Sequence, residues 1–264
     1  RLRLKLNSNA LIFNNGIGDN NSSGVSINKI QLLTEFIHLD TDEKSLFASS
    51  SHEYLIEQIQ FSEKEPIESK EELTDTDYNN YQHRFDLEFN HPVKALFWSV
   101  QDDESSDGLR AARGNQLFNY WNDLNAINRK NNVRDASISV NGYEMFDPLP
   151  GIYFNLVTKN EHFTGNGFTG LKVLQTTNNQ QSIDLSTGNG IYTYPFALYP
   201  EEYQPSGTLN FSKLDKSELR LRINRTQGSS DYGRTYIQKY LKVYALNYNV
   251  LRIASGSGGL VFEN

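Results

Sequence analysis

Three sets of residues in this chain have types and spacings that chemistry could use. The first is Gly165-Asn166-Gly167-Phe168-Thr169-Gly170, a G-x-G-x-x-G run with Asp184 at a plausible distance for a ribose-binding acid. Such glycines hold a dinucleotide only where they join a strand to a helix N-terminus, so that backbone N–H groups face the pyrophosphate. Here the run leads into Leu171-Lys172-Val173-Leu174-Gln175, which has no sustained helical period. A surface turn is the better reading, as it is for Gly256-Ser257-Gly258-Gly259.

The second set is acidic. Asp86 and Glu88 share one side of an alternating run, and adjacent strands of a sandwich can supply the acid and base of glycoside hydrolysis. Two acids in sequence describe a solvated strand face equally well, and Glu201-Glu202 lies in a proline-flanked turn. No Gly-x-Ser-x-Gly nucleophile elbow is present. The third set is the histidines, His38, His52, His83, His91 and His162, no two of which stand at the i, i+4 spacing of a helical metal pair. His52-Glu53-Tyr54 opens like a zinc-protease motif, yet no second histidine follows near Gln58. His52 and Glu53 therefore read as structural polar residues at a strand start.

Trp98, Tyr120 and Trp121 could form a stacking platform for a sugar, although aromatic residues of this kind more often fill a core or an interface. Asn-x-Ser/Thr sequons at Asn20, Asn21, Asn210 and Asn224 are expected by chance in so asparagine-rich a chain. No catalytic, cofactor-binding or metal-ligating set emerges, and no cofactor is expected.

Bulk properties narrow the partners. A formal charge of −7 is a poor match for a phosphate backbone, so direct nucleic-acid binding is not expected. With no cysteine, disulfides and thiolate metal sites are excluded, and a reducing cytoplasm fits better than an oxidising compartment. No apolar run approaches the roughly 20 residues that span a bilayer, so direct membrane insertion is not expected. The 264 residues suffice for one large β domain or two small ones.

The elements that must position these residues are mostly strands. The 15 Tyr and 15 Phe against a single Met favour strand over helix. Period-two alternation marks Phe85-Asp86-Leu87-Glu88-Phe89, Ala136-Ser137-Ile138-Ser139-Val140 and Leu219-Arg220-Leu221-Arg222-Ile223, each expected to keep one wet face. The runs Ile30 to Leu39, Val93 to Val100 and Leu241 to Ile253 are apolar on both sides and should be covered on both, or lie at an interface. Residues 7 to 26 read as a linker, and residues 62 to 82 and 101 to 115 as polar loops that build no core. Helix is expected at Asp40 to Ser49, where Asp40 and Glu43 resemble a capping box, and in short pieces at Asn115 to Leu124 and Ile152 to Thr158. Pro195, Pro200 and Gln204-Pro205-Ser206-Gly207 predict a corner that limits strand pairing. Eight or nine strands with long loops and few helices predict an all-β, two-sheet jelly-roll sandwich.

Four ordered stretches go beyond composition. Tyr192-Thr193-Tyr194-Pro195-Phe196-Ala197-Leu198-Tyr199-Pro200-Glu201-Glu202-Tyr203-Gln204-Pro205-Ser206-Gly207-Thr208-Leu209-Asn210-Phe211-Ser212 resembles the signature of the major capsid proteins of nucleocytoplasmic large DNA viruses. Phe36 to Glu43 with Ser51 to Gln58, Phe89 to Trp98, and Val243 to Ile253 resemble the same family in the same order. The resemblance implies a double jelly-roll subunit. Residues 1–26 would be the last strand of a truncated first roll, starting directly at Arg1-Leu2-Arg3-Leu4-Lys5-Leu6, plus a linker; residues 27–264 would be the C-terminal jelly roll.

It further implies a structural virion protein rather than an enzyme. Homotrimers with six rolls would form pseudo-hexagonal capsomers that tile an icosahedral capsid. The implied partners are further copies, neighbouring capsomers and minor capsid proteins, with any inner membrane reached indirectly and assembly in the host cytoplasm. The competing expectation is a carbohydrate-binding or carbohydrate-active β-sandwich, which would expose its aromatic residues in a row.

Overall fold

The computed structural model describes residues 29–62, 64–102, 120, 131–164, 173–175, 181–183, 190–225, 238–254 and 257–262. In chain order these form helix α1 (Thr41–Ser49), β1 (His52–Phe61), β2 (Glu65–Ile67), α2 (Asp75–Asn80), β3 (His83–Asp86), β4 (Pro92–Asp102), β5 (Val133–Val140), β6 (Tyr143–Glu144) and β7 (Leu149–Pro150). A π-helical turn (Tyr153–Val157) runs into α3 (Thr158–His162), followed by β8 (Val173–Gln175), β9 (Gln181–Ile183), β10 (Ile191–Pro195), β11 (Leu209–Asn210), β12 (Ser217–Ile223), β13 (Lys239–Ala254) and β14 (Ser257–Leu260).

Two antiparallel sheets make the sandwich, and β8 and β9 pair separately as a two-stranded sheet. The first has the order β1-β13-β4-β10, with β2 and β14 also on β13 and β11 on β4; the second has the order β3-β12-β5-β6, with β7 on β5. The chain crosses between the sheets repeatedly, from β2 to β3, β3 to β4, β4 to β5, β11 to β12 and β12 to β13. β13 is the spine of the first sheet. One edge pairs β1 from His52↔Ile253 to Phe61↔Tyr244 and then β2, while the other pairs β4 and then β14.

The core lies between the inner faces. Leu96, Trp98 and Val100 of β4 and Leu241, Val243 and Ala245 of β13 belong to one buried cluster with Leu219, Leu221 and Ile223 of β12 and with Ala136 and Ile138 of β5. Trp98 is 1% exposed and stacks on Tyr192 at 5.9 Å, with Phe154 at 5.3 Å. The Tyr192 hydroxyl accepts the Val133 N–H at 3.2 Å, a hydrogen bond from β10 of one sheet to β5 of the other. Burial pushes the Tyr192 phenol well above its usual range.

The α1 expectation holds. The Asp40 carboxylate accepts the Glu43 N–H at 2.8 Å and the Glu43 carboxylate accepts the Asp40 N–H at 3.4 Å, a complete capping box. Ile152 to Thr158 is helical too, mostly as the π turn. The corner also forms. β10 ends at Pro195, the Phe196 and Ala197 N–H groups both donate to the Lys94 carbonyl, and Gly207 takes a φ of 128° that an L side chain rarely adopts. Tyr120 is the one described residue of the expected Asn115 to Leu124 helix, and residues 1–26 lie outside the described residues.

Four expectations need correction. The Phe85 to Phe89 run is strand only to Asp86, because His91 at φ 67° turns the chain into Pro92; Leu87 and Phe89 stay buried. β5 has no wet face over its centre, where Ser137 and Ser139 are buried. Their cross-strand neighbours are Arg220 and Glu218, whose longer side chains form an ion-paired layer on that face. The 62–82 loop does enter the core, through Ile67 and Tyr78. Arg225 holds it there, with its guanidinium 4.2 Å from the Tyr78 ring centroid and donating to the carbonyls of Leu73, Ser69 and Lys70. Finally, Ile30 to Leu39 forms neither helix nor strand and belongs to neither sheet, and Ile30, Leu32, Leu33, Phe36 and Ile37 are exposed.

Because Trp98 fills the centre of the core, Trp98→Ala is expected to lower unfolding free energy by about 3–5 kcal/mol, the usual cost of emptying a large aromatic site. Chemical denaturation monitored by far-UV circular dichroism measures it, and a loss below about 1 kcal/mol would contradict the packing described.

Candidate assembly surface

The residues with chemical potential are dispersed by the fold. His52 stacks on Phe47 at 4.1 Å and its Nε2 lies 2.9 Å from the Phe47 carbonyl; Glu53 pairs with Arg252 at 3.6 Å. His162 Nδ1 lies 2.9 Å from the Leu198 carbonyl, His91 is buried, and His38 sits in the irregular segment before α1. Among the described residues no group of three or more His, Asp or Glu side chains could hold a metal ion. Gly165–Gly170, Asp184 and Trp121 lie outside the described residues. Trp98, in the core, cannot serve a sugar platform.

Both described sequons have working asparagines. Asn210 accepts the Ser212 N–H at 3.1 Å, and Asn224 donates to the Asn131 carbonyl at 2.9 Å. Glu201 accepts the Thr164 N–H at 2.8 Å, which ties the corner loop to the segment after α3.

Asp86 and Glu88 do meet a third acid. With Glu65, Arg84, Ser62, Phe61, Phe85 and Phe89 they line a cleft of about 540 Å³ between the β1–β2 and β3 ends. Partial burial, then the Asp86 and Glu88 charges, push the Glu65 carboxyl above its ordinary value. Lys216 stands 3.9 Å from Asp86 and 2.6 Å from Glu218, so it links Asp86 to the ion pairs of the second sheet.

The core and its margins also hold buried basic side chains that periodicity does not mark, among them Lys159 and Lys94. Lys159 donates to Asn155 Oδ1 at 3.1 Å and to the Ile191 carbonyl, and burial pushes its amine down to about 8. Lys94 sits where β4 slips register against β13, between Leu246↔Ala95 and Asn247↔Val93. The irregularity turns Lys94 toward the outer face, where its fully buried ammonium pairs with Glu57, donates to the Glu202 carbonyl at 3.3 Å and lies 4.9 Å from the Tyr248 ring centroid. One cation thus joins β1, β4, β13 and the corner loop. Its sequence signal, a lone lysine inside an apolar run, reads equally as an edge residue.

The outer faces of the two sheets differ in kind. That of the second sheet is ionic: Arg220 bridges Glu218 and Glu144, both at 2.8 Å, and Arg222 pairs with Asp135 at 3.4 Å. Arg220 and Lys216 hold the Glu218 carboxyl below its ordinary value, chiefly through their hydrogen bonds. The first sheet exposes apolar side chains instead. Leu55, Ile59 and Phe61 alternate along β1, and Phe61 lies opposite Tyr244 at 6.2 Å between ring centroids. Among the described residues β1 has no strand on its other edge, so it presents unpaired backbone groups beside an apolar face. No described helix is long and apolar enough to cross a membrane.

Comparison with known proteins supplies the context for such a face. A family model described as large eukaryotic DNA virus major capsid protein matches residues 43–259. The chain is 34% identical over 246 residues to a major capsid protein of Pyramimonas orientalis virus, covering 92% of this chain and 51% of that protein. It is 32% identical over 279 residues to a major capsid protein of Paramecium bursaria Chlorella virus 1, covering 94% and 58%. A quasi-atomic model of the PBCV-1 virus capsid aligns with a TM-score of 0.59 at 29% identity, over 86% of this chain and 55% of that one. The chain therefore spans just over half the length of these relatives.

Two measurements test the electrostatics. Glu57→Ala leaves the buried Lys94 cation without its carboxylate and is expected to cost about 2–3 kcal/mol, whereas Lys94→Met, which removes the buried charge, costs less. Denaturant titration of both variants checks the order. The second concerns His83, 6% exposed among Tyr78, Tyr81 and Phe85, whose Nε2 meets no hydrogen-bond partner among the described residues. Burial lowers its pKa from 6.5 to about 4, outweighing the Glu68 charge, which raises it, while Lys70 adds a smaller lowering effect. The unfolded chain then binds a proton that the fold refuses, so stability is complete above pH 6.5 and falls as pH drops toward about 4, by about 3 kcal/mol in all. His83→Phe should flatten the dependence of unfolding free energy on pH in that window, and an unchanged slope would contradict this assignment.

Proposed function

Because the chain belongs to the large eukaryotic DNA virus major capsid protein family, we propose that it is the C-terminal jelly roll of a subunit that self-associates as a trimeric capsomer of an icosahedral shell. The family is one of structural capsid proteins, which makes this chain a virion capsid component. The trimer would combine two rolls from each of three copies into a pseudo-hexagonal unit, assembled in the host cytoplasm and joined to neighbouring capsomers and minor capsid proteins. The mechanism is association of rigid sheets through large, self-complementary surfaces, with no bond made or broken in a substrate.

The observation that carries the assembly reading is the contrast between the two outer faces. An ion-paired face is content in water. An apolar face of Leu55, Ile59, Phe61 and Tyr244, next to an open strand edge, is stabilised by contact with another protein layer. We therefore assign the first sheet's outer face to subunit contacts.

Sedimentation velocity of the full-length subunit is expected to give a trimer. Ile59→Lys combined with Phe61→Glu should shift it to monomer at concentrations where the parent is trimeric, with unchanged circular dichroism. Lys213→Glu, outside that face, should leave the trimer intact. A full-length subunit that stays monomeric at every concentration and salt would overturn the proposal.

A further inference from the structure

Segment 68–82 is polar, and few contacts hold it to the second sheet. Tyr78 of α2 is its one buried residue. The Tyr78 hydroxyl donates to the Glu68 carbonyl at 3.4 Å, and Arg225 lies over the Tyr78 ring. The same guanidinium donates to the Ser69, Lys70 and Leu73 carbonyls and pairs with Asp75 at 3.3 Å. From β5, Arg134 donates to the Asn79 carbonyl and to Asn80 Oδ1, both at 3.0 Å. A segment held mainly by hydrogen bonds, with one buried side chain, is of the kind that opens locally before the core does.

What Tyr78 packs against is a histidine. His83, at the start of β3, meets Tyr78 edge-on at 5.5 Å and Tyr81 edge-on at 4.9 Å, with Phe85 stacked at 6.4 Å. A neutral imidazole suits this cage. An imidazolium does not, because its buried Nε2 has no hydrogen-bond partner among the described residues. Both tyrosine rings also already face a cation, with Arg225 4.2 Å from the Tyr78 ring centroid and Lys70 5.4 Å from that of Tyr81. The carboxylate acting on His83 is that of Glu68, and it is shared with Lys70 at 2.5 Å. β3 is the edge strand of its sheet and pairs with β12 alone among the described residues, so the segment before it can leave without dividing the sheet.

We propose that His83 is an acid-sensitive latch, whose protonation releases segment 68–82 from the second sheet while the two-sheet core stays folded. With the segment closed, burial holds the imidazole down to about 4; released into water, it returns toward 6.5. The open form therefore takes up the proton more readily. Release is disfavoured above pH 6.5 and grows as pH falls toward about 4, by about 100-fold between pH 7 and pH 4. In a shell subunit the latch makes the surface that residues 68–82 present depend on the acidity around the particle. It is built within this domain, and trimer formation plays no part in it, so the two readings can fail separately.

Hydrogen–deuterium exchange of the full-length subunit between pH 7 and pH 4 tests it, with protection taken relative to unstructured peptide rates at the same pH. Protection of residues 74–82 is expected to fall about 100-fold, while β4 and β13 stay better protected than the segment by about tenfold or more at the acid end. His83→Phe, which keeps a ring in the cage but takes no proton, should abolish the fall. Glu68→Gln leaves the cage intact and removes the charge that favours the imidazolium, so it should move the release to lower pH; an unshifted release would overturn the latch even if His83→Phe did not fold. Asp75→Asn, which removes the other carboxylate that Arg225 holds, should leave the pH dependence in place. Protection of residues 74–82 that ignores pH, or that falls equally in His83→Phe, would also overturn the proposal. So would equal protection of the segment and β13 in acid, since the whole domain would then open as one.

Discussion

The structure depends on one constraint, the need to satisfy both edges of a sixteen-residue strand. A strand of that length crossing a small domain leaves too many N–H and C=O groups for water to reach once its faces are covered. β13 meets the requirement in segments: β1 and β2 along one edge, β4 and β14 along the other. That arrangement brings residues 52–67 to the same sheet as residues 92–102 and fixes which faces look inward. The alternation Leu241, Val243, Ala245 then meets β12 and β5 across the core.

Where the alternation slips, at Lys94, the fold turns an irregularity into a junction. A buried ammonium among carboxylate, carbonyl and aromatic ring is stable only while all of them are present, so it couples β1, the corner loop and β13. The same corner uses Ser206, just after Pro205, to hold the Leu198–Tyr199 backbone through its carbonyl and hydroxyl. Loops of this kind are rigid through hydrogen bonding rather than burial. They can carry exposed side chains such as Tyr203 without losing their path.

The polar residues that invited a chemical reading are mostly used for support. His52 holds a helix end, Glu201 ties a loop, and Asn210 and Asn224 bind local backbone. The remaining acids contribute to an ionic face that differs from the apolar face across the sandwich. This polarity of the two outer sheets suits a shell subunit, in which some faces meet protein and others meet water.

Much of this was legible in the residues. The capping box of Asp40 and Glu43, the alternation of β12 and the proline-bounded corner are local, set by side-chain and backbone preferences within a few positions. Asn141-Gly142 is an equally local hairpin signal, with φ of 49° and 85°, that period-two alternation does not register. What the residues could not reveal were the long-range partners. Arg225 gripping the polar loop through Tyr78, serines of β5 sheltered beneath Arg220 and Glu218, and Lys94 facing Glu57 each depend on side chains dozens of positions apart. By itself the sequence determined the strands, their turns and the family, because these follow from short-range periodicity and ordered motifs. Only the tertiary structure decided which apolar side chains are core and which are surface, because burial is a property of what lies opposite in space, and period-two alternation does not say what that is.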